Sequence, residues 1–210
     1  MLDRIMDFLT ACRAAYNPKI PYHNFRHVVD VLQAVFYFLL QLRALPPYPA
    51  GGSADCKPGT PLKGMSCMLT PLDALTLLVA AIGHDVGHPG VNNAFLITLK
   101  APLAQVYNDR SVLESFHCAA FSQVLRKYWP KTLELRKALI EMILATDMGL
   151  HFDYMGRLDK MKKRAMRGGG WGMWGEKAIA DCRALICALL IKCADISNVV
   201  SLIFKLHGLL

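Results

Sequence analysis

TPLDALTLLVAAIGHDVGHPGVNN, from Thr70 to Asn93, decides how this chain is read. Its first half spells the start of a helix: Thr70 as N-cap, Pro71 at the first helical position and a carboxylate, Asp73, at the third. From there to Ile82 the residues are apolar nearly all round, the pattern of a helix at the centre of a core. Its second half crowds His84, Asp85 and His88 together. Imidazole and carboxylate are the side chains that hold catalytic divalent metals. Placed directly after an apolar helix, they point to metal-assisted hydrolysis, provided the rest of the chain supplies the remaining ligands.

Outward from that stretch the chain reads as helices joined by loops. Residues 2–16 form a short amphipathic helix carrying Leu2, Ile5, Met6 and Leu9, stopped by Asn17-Pro18. A second helix over about 24–44 follows Tyr22-His23, with Val28, Val31, Leu32, Val35, Phe36 and Leu39 at helical spacing. PPYPAGGSADCKPGTP, Pro46–Pro61, is an exposed, flexible loop by composition. Further helices are expected near 92–100, 111–127, 131–147 and 176–198. Between the last two lies RLDKMKKRAMRGGGWGMWG, whose basic half can be helical and whose Gly168-Gly169-Gly170 breaks it. A phosphate- or membrane-facing patch is one use for that run; a solvated connector is the commoner one.

The bulk numbers agree with one all-α domain. The chain has 210 residues, 54% of them hydrophobic, enough for one sizeable core. Net charge is +8, from 24 Lys and Arg against 16 Asp and Glu. That excess favours anionic ligands, but it is scattered apart from the one basic run, so no nucleic-acid partner is expected. The 7 cysteines include no CxxC pair. Cys12, Cys67, Cys118, Cys182, Cys187 and Cys193 sit in or beside apolar runs, as reduced buried thiols of a cytoplasmic protein do. No secretory leader is read at the start, and Asp30, Gln33, Asp73 and His84 break the apolar runs short of a membrane span.

Several other polar residues need a reason to be where they are. His23 and His27 lie four apart on one helix face, so their rings project the same way. Asp195, in IKCADISN, follows an apolar run; a buried aspartate must be paired, hydrogen-bonded or metal-bound, while a helix cap or Asx turn is its ordinary explanation. Glu114 and His117 share a helix face, usually a sign of a solvated salt bridge. Each signal is weak alone. Together they place two histidines, two aspartates and several further polar groups beside strongly apolar segments.

Five blocks carry a resemblance. YHNFRH (Tyr22–His27), HDVGHPGVNN (His84–Asn93), NDRSVLESFH (Asn108–His117), LATDM (Leu144–Met148) and CADISN (Cys193–Asn198) stand in the order found in class I 3',5'-cyclic nucleotide phosphodiesterases, and the HD-x2-H-x4-N signature is complete. The chain resembles the catalytic domain of that family, an HD-type metal phosphohydrolase fold. The resemblance implies an all-α, multi-helix domain that hydrolyses a 3',5'-cyclic nucleotide to the 5'-monophosphate, with cyclic AMP ahead of cyclic GMP. It implies two divalent metals, a tight zinc and a second magnesium or manganese. On this sequence, His27, His84, Asp85 and Asp195 would hold the zinc, with Asp85 bridging to the second ion. His88, Glu114, His117 and Thr146 would orient that ion's waters. His23 would be the general acid. Tyr22, Met148, Ile196 and Asn198 would contact substrate, and Asp147 would support the site.

The chemistry behind that assignment is consistent. Two divalent ions roughly 3.5–4 Å apart clamp phosphoryl oxygens, and metal binding brings the pKa of water down towards about 7. The leaving ribose oxygen needs a proton, and an unperturbed imidazole, titrating near about 6.5, is suited to give it. The family's frequent His-His pair reads Phe116-His117 here. The resemblance is read over residues 1–198, leaving 199–210 as a tail without family character. Relatives continue with helices bearing a purine-binding glutamine and a base-stacking phenylalanine that find no counterpart here, so a C-terminally incomplete domain with weak turnover is expected. Two other readings stand beside it: a different HD-type metal phosphohydrolase, and a non-catalytic metal-binding form.

Overall fold

The apolar run after Thr70 is the central helix of the molecule. The structure, a computed structural model, describes residues 2–45, 69–129, 135–167 and 174–206, with backbone alone at 167 and 198–206. Among the described residues every regular element is helical: α1 (Leu2–Ala14), α2 (Phe25–Gln41), α3 (Pro71–Gly83), α4 (Asn93–Thr98), α5 (Pro102–Val106), α6 (Val112–Tyr128), α7 (Arg136–Leu144), a 3-10 turn (Met148–Leu150), α8 (His151–Arg167) and α9 (Glu176–Leu206). The expected capping box opens α3. Asp73 N donates to Thr70 Oγ1 at 3.2 Å, and Asp73 Oδ2 accepts from Thr70 N at 2.7 Å. Leu77, Ala80 and Ala81 are then sealed among α2, α6, α7 and α9.

The 3.6-residue period explains most of the packing. Val28, Val31, Val35 and Leu39 make one fully buried stripe on α2, facing α3 and α9. Phe36 falls to the outer edge and is exposed. On α1 the buried face is not the one expected. Leu2, Ile5 and Met6 are exposed, while Phe8 and Cys12 go inward. Two aromatic partners decide this: the Phe8 ring lies 6.2 Å from Phe121 and 5.6 Å from Trp129. Rings gain from such tilted contacts beyond the area they bury.

Other boundaries move for local reasons. The helix expected over 92–100 ends at Thr98, and Pro102 starts a separate short helix. The helix expected over 131–147 is Arg136–Leu144; residues 130–134 lie outside the described residues. It stops early because Thr146 Oγ1 donates to Ile143 O at 2.8 Å and Asp147 caps the 3-10 turn through Gly149 N at 2.8 Å. The basic run belongs to a longer helix that already starts at His151. The helix expected over 176–198 continues unbroken to Leu206, so Asp195 stands inside a helix and is not a cap. The loop at 46–61, Cys67 and the triple glycine lie outside the described residues. Cys12, Cys118, Cys182 and Cys187 are buried free thiols; Cys193 is exposed, since its helix position faces away from the core.

The end of α3 is pressed against α6. A methyl group at Gly83 would stand 2.2 Å from Cδ1 of the buried Phe121 ring, far inside contact distance. This close approach brings His84 and Asp85, which follow at once, up to α6 and α2. Helix propensity alone favours alanine over glycine by about 1 kcal/mol, whereas overpacking a core costs about 1–3 kcal/mol. Gly83→Ala is therefore expected to lower stability, seen as a lower urea midpoint at unchanged slope; a midpoint equal to or above the parent would contradict this packing.

Candidate metal and acid-base site

Four helices deliver side chains to one place. Asn24 caps α2, accepting from Arg26 N at 2.9 Å and donating to Ile20 O at 2.8 Å, so Tyr22 and His23 lie just before the helix and His27 in its first turn. His84 is the C-cap of α3. The chain then leaves the helix, so His88 reaches the site from a turn and not from a continued helix face. That turn is tied by Gly87 N donating to Ala15 O at 3.0 Å, with Gly87 at φ +77. Glu114 and His117 come from α6, and Asp195 from α9.

The atoms converge as ligands do. His27 Nε2 is 2.9 Å from Asp195 Oδ1, 3.3 Å from His84 Nε2 and 3.6 Å from Asp85 Oδ2. His84 Nε2 is 3.5 Å from both Asp85 Oδ2 and Asp195 Oδ1. Zinc bonds of about 2.0–2.2 Å give ligand-to-ligand edges of about 3.3–3.6 Å in a tetrahedron; four of these spacings match, the His27–Asp195 pair stands closer as a hydrogen bond, and the donor set suits a divalent ion. Two imidazole nitrogens at 3.3 Å also need something electropositive, proton or metal, between them. Three overlapping groups of possible ligands share these residues: His23, His27 and Asp85; His27, His84 and Asp195; and Asp85, His88 and His117. Asp85 turns Oδ2 to the first cluster and Oδ1 towards His117 Nε2, at 3.6 Å. One carboxylate therefore faces two neighbouring positions.

Hydrogen bonds to the backbone decide which nitrogen each ring offers. His84 Nδ1 donates to Ala81 O at 3.0 Å and His117 Nδ1 donates to Val86 O at 2.9 Å, leaving Nε2 turned to the carboxylates in both. At His88 the case is reversed. Gly90 N donates to His88 Nδ1 at 2.9 Å, so in the neutral ring Nε2 carries the hydrogen and can donate but not ligate. At His23, Nδ1 donates to Asp85 Oδ2 at 2.8 Å, and Nε2 remains on a half-buried ring stacked 4.0 Å from His88. Asp85 is thus the carboxylate partner of His23.

Burial and charge compete in this cluster. Burial pushes the His84 pKa down, but the charge of Asp85 and the contact with Asp195 outweigh it and raise the value to about 9. Burial pushes the Asp85 carboxyl up, yet His84, His23 and His117 hold it far below the ordinary range. Asp195 is likewise lowered, its burial outweighed by His27 and His84. Burial dominates at His88 and His117 and lowers both to about 4, so both rings are neutral at pH 7. Burial raises Glu114.

The remaining expected residues lie around this centre. The Tyr22 ring is 4.9 Å from His27 and 4.7 Å from His23. Thr146 is buried, while Met148 and Ile196 are 53% and 43% exposed, each presenting apolar surface. The side chain of Asn198 lies outside the described residues. Among the described residues Glu114 forms no salt bridge; its Oε2 accepts from Asn93 Nδ2 at 2.9 Å, and Asn93 Oδ1 accepts from Leu113 N at 2.9 Å. Asp147 Oδ2 accepts from Ser111 Oγ at 2.6 Å. Tyr16 was not singled out from the sequence, yet its hydroxyl donates to Ile82 O at 2.8 Å and accepts from Asp85 N at 3.3 Å. Asn93 stood in the quoted signature and Ser111 in a quoted block; nothing local marked Tyr16.

Comparison with known proteins points one way. Residues 22–205 match the family described as 3'5'-cyclic nucleotide phosphodiesterase. The chain is 34% identical over 201 residues to 3',5'-cyclic-nucleotide phosphodiesterase 2 of Saccharomyces cerevisiae, covering 94% of this chain and 30% of that protein. It is 32% identical over 213 residues to the human high affinity cAMP-specific and IBMX-insensitive 3',5'-cyclic phosphodiesterase 8A, covering 92% of this chain and 23% of that one. Among solved structures, yeast caPDE2 superposes with a TM-score of 0.80 at 41% identity, over 95% of this chain and 40% of that chain. The chain therefore spans a third or less of these two curated relatives and less than half of the solved one.

A ligand histidine must be neutral, and His84 without metal is protonated at pH 7. Zinc binding is therefore expected to release a proton, and affinity to rise about tenfold per pH unit between roughly 6.5 and 8.5. Competition against a chelator at several pH values measures this; a flat profile would mean that binding displaces no proton from His84.

Proposed function

The chain belongs to the 3'5'-cyclic nucleotide phosphodiesterase family, and from that premise we propose that it hydrolyses a 3',5'-cyclic nucleotide to the 5'-monophosphate. The observation that carries the proposal is the convergence of His27, His84, Asp85 and Asp195 within ligand-to-ligand distances, with His23 hydrogen-bonded to the same Asp85. In this reading His27, His84, Asp85 and Asp195 would hold zinc, and Asp85 would also serve a magnesium or manganese ion. Carboxylate oxygen and water suit the second ion, and the imidazole-rich set suits zinc. When bound, the two ions would supply positive charge against the phosphoryl oxygens and lower the pKa of water towards about 7.

The chain's own residues do the rest. His88, through Nε2–H, and Glu114, held by Asn93, would orient waters around the second ion together with His117 and Thr146. His23 keeps Nδ1–H on Asp85 and carries the transferable proton on Nε2. As a hydroxide oxygen bonds to phosphorus and the bond from phosphorus to O3' breaks, that proton passes to the departing oxygen, which leaves as a hydroxyl. Stacking on His88 and contact with Tyr22 hold the His23 ring in the plane this transfer needs. Met148 and Ile196 offer an apolar wall to the purine. Cyclic AMP is placed ahead of cyclic GMP, a preference supported by the human relative named as cAMP-specific. Among the described residues no helix is long and apolar enough to cross a membrane. The buried free thiols support a cytoplasmic setting.

Losing a positioned general acid costs about 10²–10⁴-fold in kcat. His23→Asn is expected to lose activity on that scale while keeping its zinc, whereas Asp195→Asn is expected to lose zinc as well. Hydrolysis of both cyclic nucleotides and metal content are measured on the same preparations. Undiminished kcat in His23→Asn would remove the acid from this scheme. Bound zinc with no turnover of either nucleotide by the parent chain would leave a metal-binding, non-catalytic form.

A further inference from the structure

Lys192 is the member of the IKCADISN block that the proposed chemistry leaves unused. It is 3% exposed, and an ammonium in such a place needs a carboxylate or a set of good acceptors. Among the described residues no carboxylate lies within ion-pair distance of it. Instead Nζ donates to Ala145 O and to Asp147 O, both at 2.9 Å, and sits 5.8 Å from the centre of the Tyr154 ring. Both carbonyls lie just past the last turn of α7, where peptide dipoles leave a partial negative charge and unpaired acceptors. A lysine from one helix therefore caps the end of another.

The residue between those carbonyls is Thr146, and the next two are Asp147 and Met148. Lys192 and Asp195 stand three apart on α9 and so share a face. From the far side, Ser111 at the start of α6 holds the Asp147 carboxylate. We infer that Lys192 is a positioning residue, fixing the Thr146–Met148 turn against the turn of α9 that bears Asp195. Its role in the reaction rests on the hydrolytic reading of the site. The charges agree with this geometry. Burial lowers the Lys192 pKa, while Asp147, Asp195 and Glu114 all favour its ammonium. A fixed positive charge behind three carboxylates offsets their mutual repulsion. Without Nζ, Ala145 O loses its donor in a dry place and Asp147 O keeps only Leu150 N, at 3.2 Å, within its own turn, so the turn is free to move relative to Asp195.

Cobalt(II) is the probe, because its visible absorption reports ligand geometry whether or not the chain turns over substrate. Lys192→Arg retains the charge and two donors, and is expected to keep the parent's cobalt spectrum and affinity. Lys192→Met is expected to shift the spectrum, weaken cobalt binding about 10–100-fold, as loss of groups that orient ligands does, and speed amide exchange over residues 145–150. Lys192→Gln, which keeps one donor, should move the same way by less, and stands in if the methionine variant does not fold. An unshifted spectrum and affinity in these variants, even with a lower unfolding midpoint, would overturn the inference and leave a contact that only stabilises the fold. Should the parent chain take up no cobalt, the hydrolytic reading falls and amide exchange alone judges Lys192. Faster exchange over 145–150 in Lys192→Met but not in Lys192→Arg would sustain the positioning role, and equal exchange in all three would overturn it.

Discussion

Two carboxylates, Asp85 and Asp195, are drawn out of water into contact with four imidazoles, and the rest of the molecule is arranged around that fact. Removing a charge from water costs several kcal/mol even after relaxation, and no apolar neighbour can return it. Compensation comes from His23, His27, His84 and His117, whose nitrogens lie 2.8–3.6 Å from the carboxylate oxygens. Such a cluster is a poor device for stability and a good one for holding a cation. Nitrogen and oxygen donors stand at the edge lengths of a coordination shell, and two rings have their far nitrogens committed to backbone carbonyls.

What keeps those groups in place is packing without slack. α3 ends in a glycine that lets Phe121 lie on the backbone, so the His84-Asp85 pair emerges at a fixed height between α2 and α6. Tyr16 bridges Ile82 O and Asp85 N, clamping the same corner. Asn93 ties α4 to α6 and presents Glu114. Lys192 and Ser111 hold Asp147 and its turn from opposite sides. Each is a buried or half-buried hydrogen bond between separate elements. Their worth lies in fixing relative position more than in stability, since a typical one contributes only about 1 kcal/mol.

Much of this could be read in one dimension. The Thr70-Pro71-Asp73 cap is a contest between neighbours three apart, and it came out as written. The α2 stripe obeyed its period. The proposed ligands sat in short blocks whose order marked the family, and residues 22–205 match it. The misses also share a physical cause. α1 buried Phe8 and Cys12 instead of Leu2, Ile5 and Met6 because Phe121 and Trp129, more than a hundred residues away, offered rings to pack on. The early stop of α7 and the early start of α8 were set by side-chain-to-backbone bonds of Thr146 and Asp147. Periodicity does not register such bonds.

The sequence by itself determined the helical class, the α3 cap, the α2 stripe and the residue types available for chemistry, because these depend on neighbours within a few positions. Only the tertiary structure decided which atoms meet. His27 and Asp195 are 168 positions apart and His27 and His84 are 57 apart, yet their polar atoms lie at 2.9 and 3.3 Å. It also decided which nitrogen of each ring is free, that Asp85 is the partner of His23, and that Lys192 caps a foreign helix. These are outcomes of close packing between distant segments. A tenth of a nanometre there changes an interaction from bond to gap, and no local pattern encodes a distance so fine.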